Sequence, residues 1–171
     1  MFMLDYITPE KAEGDIEKIY SRFPEEIPVP EPLQLYSASP RYLLKQMSIV
    51  DDLMQDEAYE PGLLAAIRYI GATKSCFGFC TVFNRQMLTS MGLTEEEVDA
   101  LTTTPSKSFE AKEAAILTFV SKSISDPDAI DQEDVDRVRS QGWTDQQIFE
   151  CTAYAQQMIS GGNVFRTFAK K

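Results

Sequence analysis

Residues 92–98 and 142–148 open two helices with the same device, 50 positions apart in a 171-residue chain. In Gly92-Leu93-Thr94-Glu95-Glu96-Glu97-Val98, Thr94 stands three residues before Glu97. That is the spacing at which the threonine hydroxyl and the acidic side chain cap each other's backbone N–H groups. Leu93 and Val98 occupy the positions of a hydrophobic staple across the helix start. Gly142-Trp143-Thr144-Asp145-Gln146-Gln147-Ile148 repeats the arrangement, with Thr144 and Gln147 as the box and Trp143 and Ile148 as the staple. Strand-type alternation of apolar and polar residues is absent along the rest of the chain. The pattern therefore predicts an all-α bundle of about 7–9 helices. The echo suggests two similar helical arrangements; a repeat array would need more copies.

The remaining elements follow from punctuation. Thr8-Pro9 predicts a helix start, with Ala12, Ile16, Ile19, Tyr20 and Phe23 on one face and Pro24 closing it. Pro24, Pro28, Pro30 and Pro32 predict a stiff, extended connector. A second helix starts at Ser39-Pro40 and runs through Leu43, Met47, Val50 and Leu53, after which the acidic 51–59 segment loosens before Glu60-Pro61-Gly62. Leu63, Leu64, Ile67 and Ile70 begin a helical stretch lasting to about Met91. That is long for one globular helix, so a break is predicted near Lys74-Ser75, with Ser75 capping the second part. Further helices are predicted from about Phe109 to Ser123, after Asp131, and from Thr144 to the C-terminal region, where Gly161-Gly162 weakens continuity.

Composition narrows the function classes. The chain is 43% hydrophobic with 10 Phe and 7 Tyr, enough apolar material for a folded core. Its net charge of −11 and pI near 4.5 argue against nucleic acid or an anionic membrane as partner. There is no run of 18 apolar residues and no signal-like start, which predicts a chain with no membrane span. Three cysteines do not describe a secreted disulfide framework, so a reducing, cytoplasmic compartment is expected. The chain has no histidine, which removes a histidine base and any histidine-ligated metal; no cofactor and no metal are called for.

The chemistry-bearing stretch is Lys74-Ser75-Cys76-Phe77-Gly78-Phe79-Cys80-Thr81-Val82-Phe83-Asn84-Arg85-Gln86. On a helix, Cys76 and Cys80 would lie one turn apart with Cα atoms about 6 Å from each other, near the outer limit for a disulfide. With Ser75 as cap, Cys76 would meet the positive end of the helix, which favours its thiolate. Cys80, flanked by aromatics, would be the more buried partner. The alternative is that both are small core side chains packed among Phe77, Phe79 and Phe83. Cys151 reads as a buried helix residue.

Most of the chain resembles the AhpD-like, or carboxymuconolactone decarboxylase-like, superfamily, and within it the peroxidase-related branch. The resemblance is carried by the proline-rich approach to Leu33, Ser39-Pro40-Arg41-Tyr42-Leu43, the long helix entering the cysteine segment, and Met91-Gly92-Leu93-Thr94-Glu95-Glu96-Glu97-Val98. It continues through the run from Glu110 to Phe119, Asp128, Asp131, Asp134-Val135, Gly142-Trp143-Thr144-Asp145, and the final helix with Asn163 and Arg166. It implies one AhpD-like helical domain over 1–171, with N-terminal helices and connector in 1–58 and the core in 59–171. It also implies a homo-oligomer, a trimer or a hexamer. Catalytic members of such a family use an upstream Glu, a C-x2-C pair and a following His. Aligned on Cys80, those places fall on Ala65, Phe77 and Asn84 in this chain, so three of the four roles are missing and Cys76 stands one position early.

Two function classes follow. In the first, the chain is a thiol-dependent peroxidase or disulfide oxidoreductase, with Cys76 and Cys80 as catalytic pair acting on a peroxide or a protein disulfide. The base would then be water, the helix dipole, or a carboxylate such as Glu60 or Glu57, and Lys74 or Arg85 would lower the thiol pKa if either points inward. In the second, it is a non-catalytic oligomeric homologue that binds a small apolar ligand or a protein partner. Tyr36, Tyr42, Phe77, Phe79, Phe83 and Trp143 are its candidate pocket residues.

Overall fold

The computed structural model describes residues 2–23, 27–75, 78–105 and 108–170. Among them are nine α-helices: α1 (Gly14–Tyr20), α2 (Glu31–Tyr36), α3 (Pro40–Gln55), α4 (Pro61–Lys74), α5 (Gly78–Ser90), α6 (Glu95–Ala100), α7 (Ala111–Ser125), α8 (Gln132–Ser140) and α9 (Asp145–Phe168). The described residues form no sheet; an isolated bridge joins Phe2 to Ala169. The all-α expectation holds. No helix is long and apolar enough to cross a membrane among the described residues.

Contacts divide the chain into two compact units, Met1–Tyr59 with Val164–Lys171, and Glu60–Asn163. In the first unit, Ile16, Ile19, Tyr20 and Leu43 form a buried cluster, with Ile7, Leu33, Tyr36 and Met47 packed against it. The entry to this unit differs from expectation. Thr8 makes no side-chain cap, and Pro9–Lys11 is a single 3-10 turn. The α-helix starts only at Gly14, whose φ of +61° interrupts a continuous helix from Pro9. The proline-rich connector is also not extended throughout. Glu31–Tyr36 is helical, because Pro32 sits in the first turn, where its missing N–H is no loss. Ser37 ties this connection down: its hydroxyl accepts from the Ile7 N–H at 2.7 Å and donates to the Gln34 carbonyl at 2.6 Å.

The second unit is organised by α4. Leu63 to Ala72 are buried without interruption except at Arg68, so the helix is apolar on nearly every side and packs chiefly against α5 and α7. At Gly71 the α9 backbone approaches so closely that a Cβ would drive into the Ala155 carbonyl oxygen and stand 3.0 Å from the Met158 Cβ. The long helix breaks where expected, at Lys74-Ser75. Ser75 closes α4, with its N–H on the Gly71 carbonyl at 3.1 Å and its hydroxyl donating to the Ala72 carbonyl at 3.0 Å.

Both echoed helix starts have the same local build. Gly92 and Gly142 take φ values of +103° and +92°, a left-handed turn that glycine alone adopts at little cost. Thr94 and Glu97 then cap each other reciprocally, and so do Thr144 and Gln147. Val98, Trp143 and Ile148 are buried. Asp131 starts α8 with a third box closed by Asp134, which also receives the Lys122 ammonium from α7. The helix α9 continues through Gly161 and Gly162, both buried.

Candidate functional site

The central feature of the second unit is a polar cluster set against α4. Arg68, the one half-buried residue in the Leu63 to Ala72 run, donates from Nε to the Asn84 Oδ1 on α5 at 2.9 Å. From Nη1 it donates to the Tyr154 hydroxyl on α9 at 3.1 Å, and from Nη2 to the Met87 Sδ at 3.4 Å. The guanidinium carbon also lies 5.9 Å from the centre of the Tyr154 ring, within range for a cation–π contact. Asn84 uses its other end on its own helix, donating from Nδ2 to the Cys80 carbonyl at 2.7 Å. Asn84 and Tyr154 are each 2% exposed, whereas Arg68, Cys80 and Met87 are half-buried. The cluster thus has a sealed floor and a partly open rim.

Burial pushes the Cys80 thiol up to about 12, and the Arg68 charge works in the opposite direction. Cys151, buried on α9, is likewise pushed up to about 12 by desolvation, with Glu150 adding to the shift. Cys76 and Phe77 lie outside the described residues, and with them the expectation that Cys76 occupies a helix start. Asn84, at the place implied for a histidine, is a bridge between α4 and α5: its carbonyl is taken by a cation and its amide by a backbone oxygen. Ala65, at the place implied for the upstream glutamate, is a fully buried methyl on α4.

The other candidates go elsewhere. Arg85 pairs with Glu95 and Asp99 and donates to the Tyr69 hydroxyl at 2.7 Å, so the cation that acts on Cys80 is Arg68. Lys74, Glu57 and Glu60 are exposed. Phe79 and Phe83 stack on α5 with ring centres 6.4 Å apart, and Tyr36 and Tyr42 meet edge-on at 5.6 Å. The Trp143 indole donates to the Lys112 carbonyl at 2.8 Å beneath the Lys112 ammonium. No group of three or more Cys, Asp or Glu side chains suited to a metal ion occurs among the described residues.

Neither Arg68 nor Tyr154 belongs to a motif or spacing that stands out in the sequence. The available signal was Arg68 itself, a charge inside an otherwise unbroken apolar helix, where an ionised side chain needs partners.

No protein-family model matches the sequence, and no curated protein does. The fold does have solved counterparts. One is the crystal structure of an alkylhydroperoxidase AhpD core, an uncharacterized peroxidase-related protein from Ralstonia eutropha JMP134. It superposes with a TM-score of 0.79 at 15% identity, covering 98% of this chain and 90% of that one. Another is an uncharacterized peroxidase-related protein from Silicibacter sp. TM1040, with a TM-score of 0.75 at 17% identity, covering 100% and 94%. At these identities the likeness is one of architecture, and the chain has the helical-bundle fold of the AhpD core.

Proposed function

We propose that this chain is a peroxidase-related AhpD-like protein that uses the Arg68–Asn84–Tyr154 centre to bind a small ligand and does not run a thiolate relay through Cys80. One observation carries the reading: Asn84 is committed at both ends while the thiol beside it is held protonated. With its pKa pushed up to about 12 by burial, Cys80 is held in the thiol form at pH 7. Asn84 has no ionisable group with which to take up the proton. Intact-mass analysis after oxidant treatment tests this, together with peroxide and disulfide-reductase assays against a C76S/C80S variant. The expected result is no Cys76–Cys80 disulfide and no turnover above the variant. Either a disulfide or turnover would refute it.

The charge of Arg68 beside Cys80 favours a second reading. Here the Cys76 thiolate attacks a peroxide oxygen, forming a sulfenic acid and releasing the alcohol or water. The Cys80 thiol then condenses with the sulfenic acid, expelling water and leaving a disulfide, which an external dithiol reduces. On either reading the protein is a cytoplasmic homo-oligomer, a trimer or hexamer. Apolar side chains left open to solvent, Val82 at 56% and Phe149 at 74% exposure among them, support association between copies. Light scattering on the eluting protein measures the oligomer number.

A further inference from the structure

Resting on the reading of this centre as a ligand site, we propose that Arg68, with the Tyr154 hydroxyl beside it, binds a small monocarboxylate. The argument is a count of donors and acceptors. A guanidinium carries five N–H donors and no acceptor. At Arg68 three are engaged, by Asn84, by Tyr154 and by a thioether sulfur, which is a weak acceptor. The remaining hydrogens, one on each Nη, have no acceptor among the described residues.

The Tyr154 oxygen accepts from Arg68, so its own hydroxyl hydrogen is a further donor with no described acceptor. The Asn84 carbonyl is already used, and the Cys80 thiol offers only another weak donor. Among the described residues the centre is therefore rich in donors and positively charged.

Its partners also differ from those of four other arginines. Arg22, Arg85, Arg137 and Arg139 each hold a carboxylate. Arg68, on the apolar α4, has only neutral partners among the described residues, in a chain that has 27 acidic residues to offer. A partly desolvated cation of this kind is stabilised by an anion, and a planar guanidinium fork matches the two oxygens of a carboxylate. One cation suits one negative charge, and the acidic field of the whole chain opposes a dianion. The half-buried Met87 supplies apolar surface for a short aliphatic or aromatic body.

The test uses propionate and benzoate as probes, with sodium chloride at equal ionic strength and propionamide as controls. Thermal unfolding should rise saturably with either carboxylate in the wild-type protein, less in Arg68→Lys, and not in Arg68→Gln or with propionamide. A second readout compares iodoacetate with iodoacetamide at Cys80 by peptide mapping. In both reactions the sulfur displaces iodide as its proton passes to solvent, and only iodoacetate carries the carboxylate.

The iodoacetate-to-iodoacetamide rate ratio should fall about tenfold when propionate saturates the wild-type site, a measurement that needs no variant. Carboxylates that act no better than chloride, or equally well on Arg68→Gln, would overturn the proposal. Equal stabilisation by propionamide would overturn it while leaving the ligand-site reading intact. Peroxide turnover alongside saturable propionate binding would refute the earlier reading and support this one.

Discussion

Replacing Asn84 by leucine isolates the bridge between α4 and α5. The side chain is 2% exposed, and leucine fills a similar volume, so the cavity contribution is small. Two hydrogen bonds are lost. One is charge-assisted, from the Arg68 Nε at 2.9 Å, and is worth about 1.5–3 kcal/mol; the other, to the Cys80 carbonyl at 2.7 Å, is worth about 0.5–1.5 kcal/mol. Arg68 is half-buried, so water recovers part of the first loss. The expected destabilisation is about 2–3 kcal/mol by urea unfolding with an unchanged m-value. In Arg68→Met/Asn84→Leu the stranded donor is gone as well, so the double variant should be more stable than the sum of the singles by about 1–2 kcal/mol. A single-variant loss below about 0.5 kcal/mol, or a coupling indistinguishable from zero, would refute the assignment of Asn84 as a structural bridge.

Gly71→Ala should destabilise by about 1–3 kcal/mol in the same assay, because the obstructing atom is the Ala155 backbone oxygen and cannot rotate away. Thr94→Ala should cost about 1 kcal/mol through loss of the reciprocal cap with Glu97. Glu113 is held above the usual carboxylate range, by burial first and then by the Glu110 and Glu60 charges. A raised carboxyl pKa means that the native state binds the proton more tightly, so stability falls as pH rises from the unfolded-state pKa through the folded one. Glu113→Gln should therefore unfold at higher urea than wild type at pH 7, with the advantage shrinking in acid. Asn84→Asp should give Arg68 a carboxylate and slow alkylation of Cys80, because the new charge offsets the cation that favours its thiolate; a rate unchanged from wild type would contradict this.

Much of the architecture was readable because helix starts are chemically local. Thr94 with Glu97, Thr144 with Gln147, and Asp131 each announce an N-terminus within four residues, and all three form. The misreadings also have local causes. Pro9 permits a helix, but Gly14 at φ +61° stops the one it seemed to open. Pro32 looked like part of an extended run, yet a proline in a first turn is compatible with α2. The site was less legible because its members come from positions 68, 84 and 154 on three helices, and nothing in linear spacing links them. The cysteine segment drew attention by residue type, while the cation that acts on Cys80 lay twelve positions upstream in what read as an apolar stripe.

The absence of histidine acquires a physical meaning once Arg68 is placed. A peroxide relay needs a group that exchanges protons near neutrality beside a thiol that ionises readily. Here Cys80 lies beside the Asn84 amide, which has no ionisable group, and within the field of the Arg68 guanidinium. Neither offers a general base, and the guanidinium gives the centre a positive charge. A fixed charge is poorly suited to shuttling protons and well suited to holding an anion in place. On the proposed reading, the unspent donors of Arg68 are what would select for a negatively charged ligand.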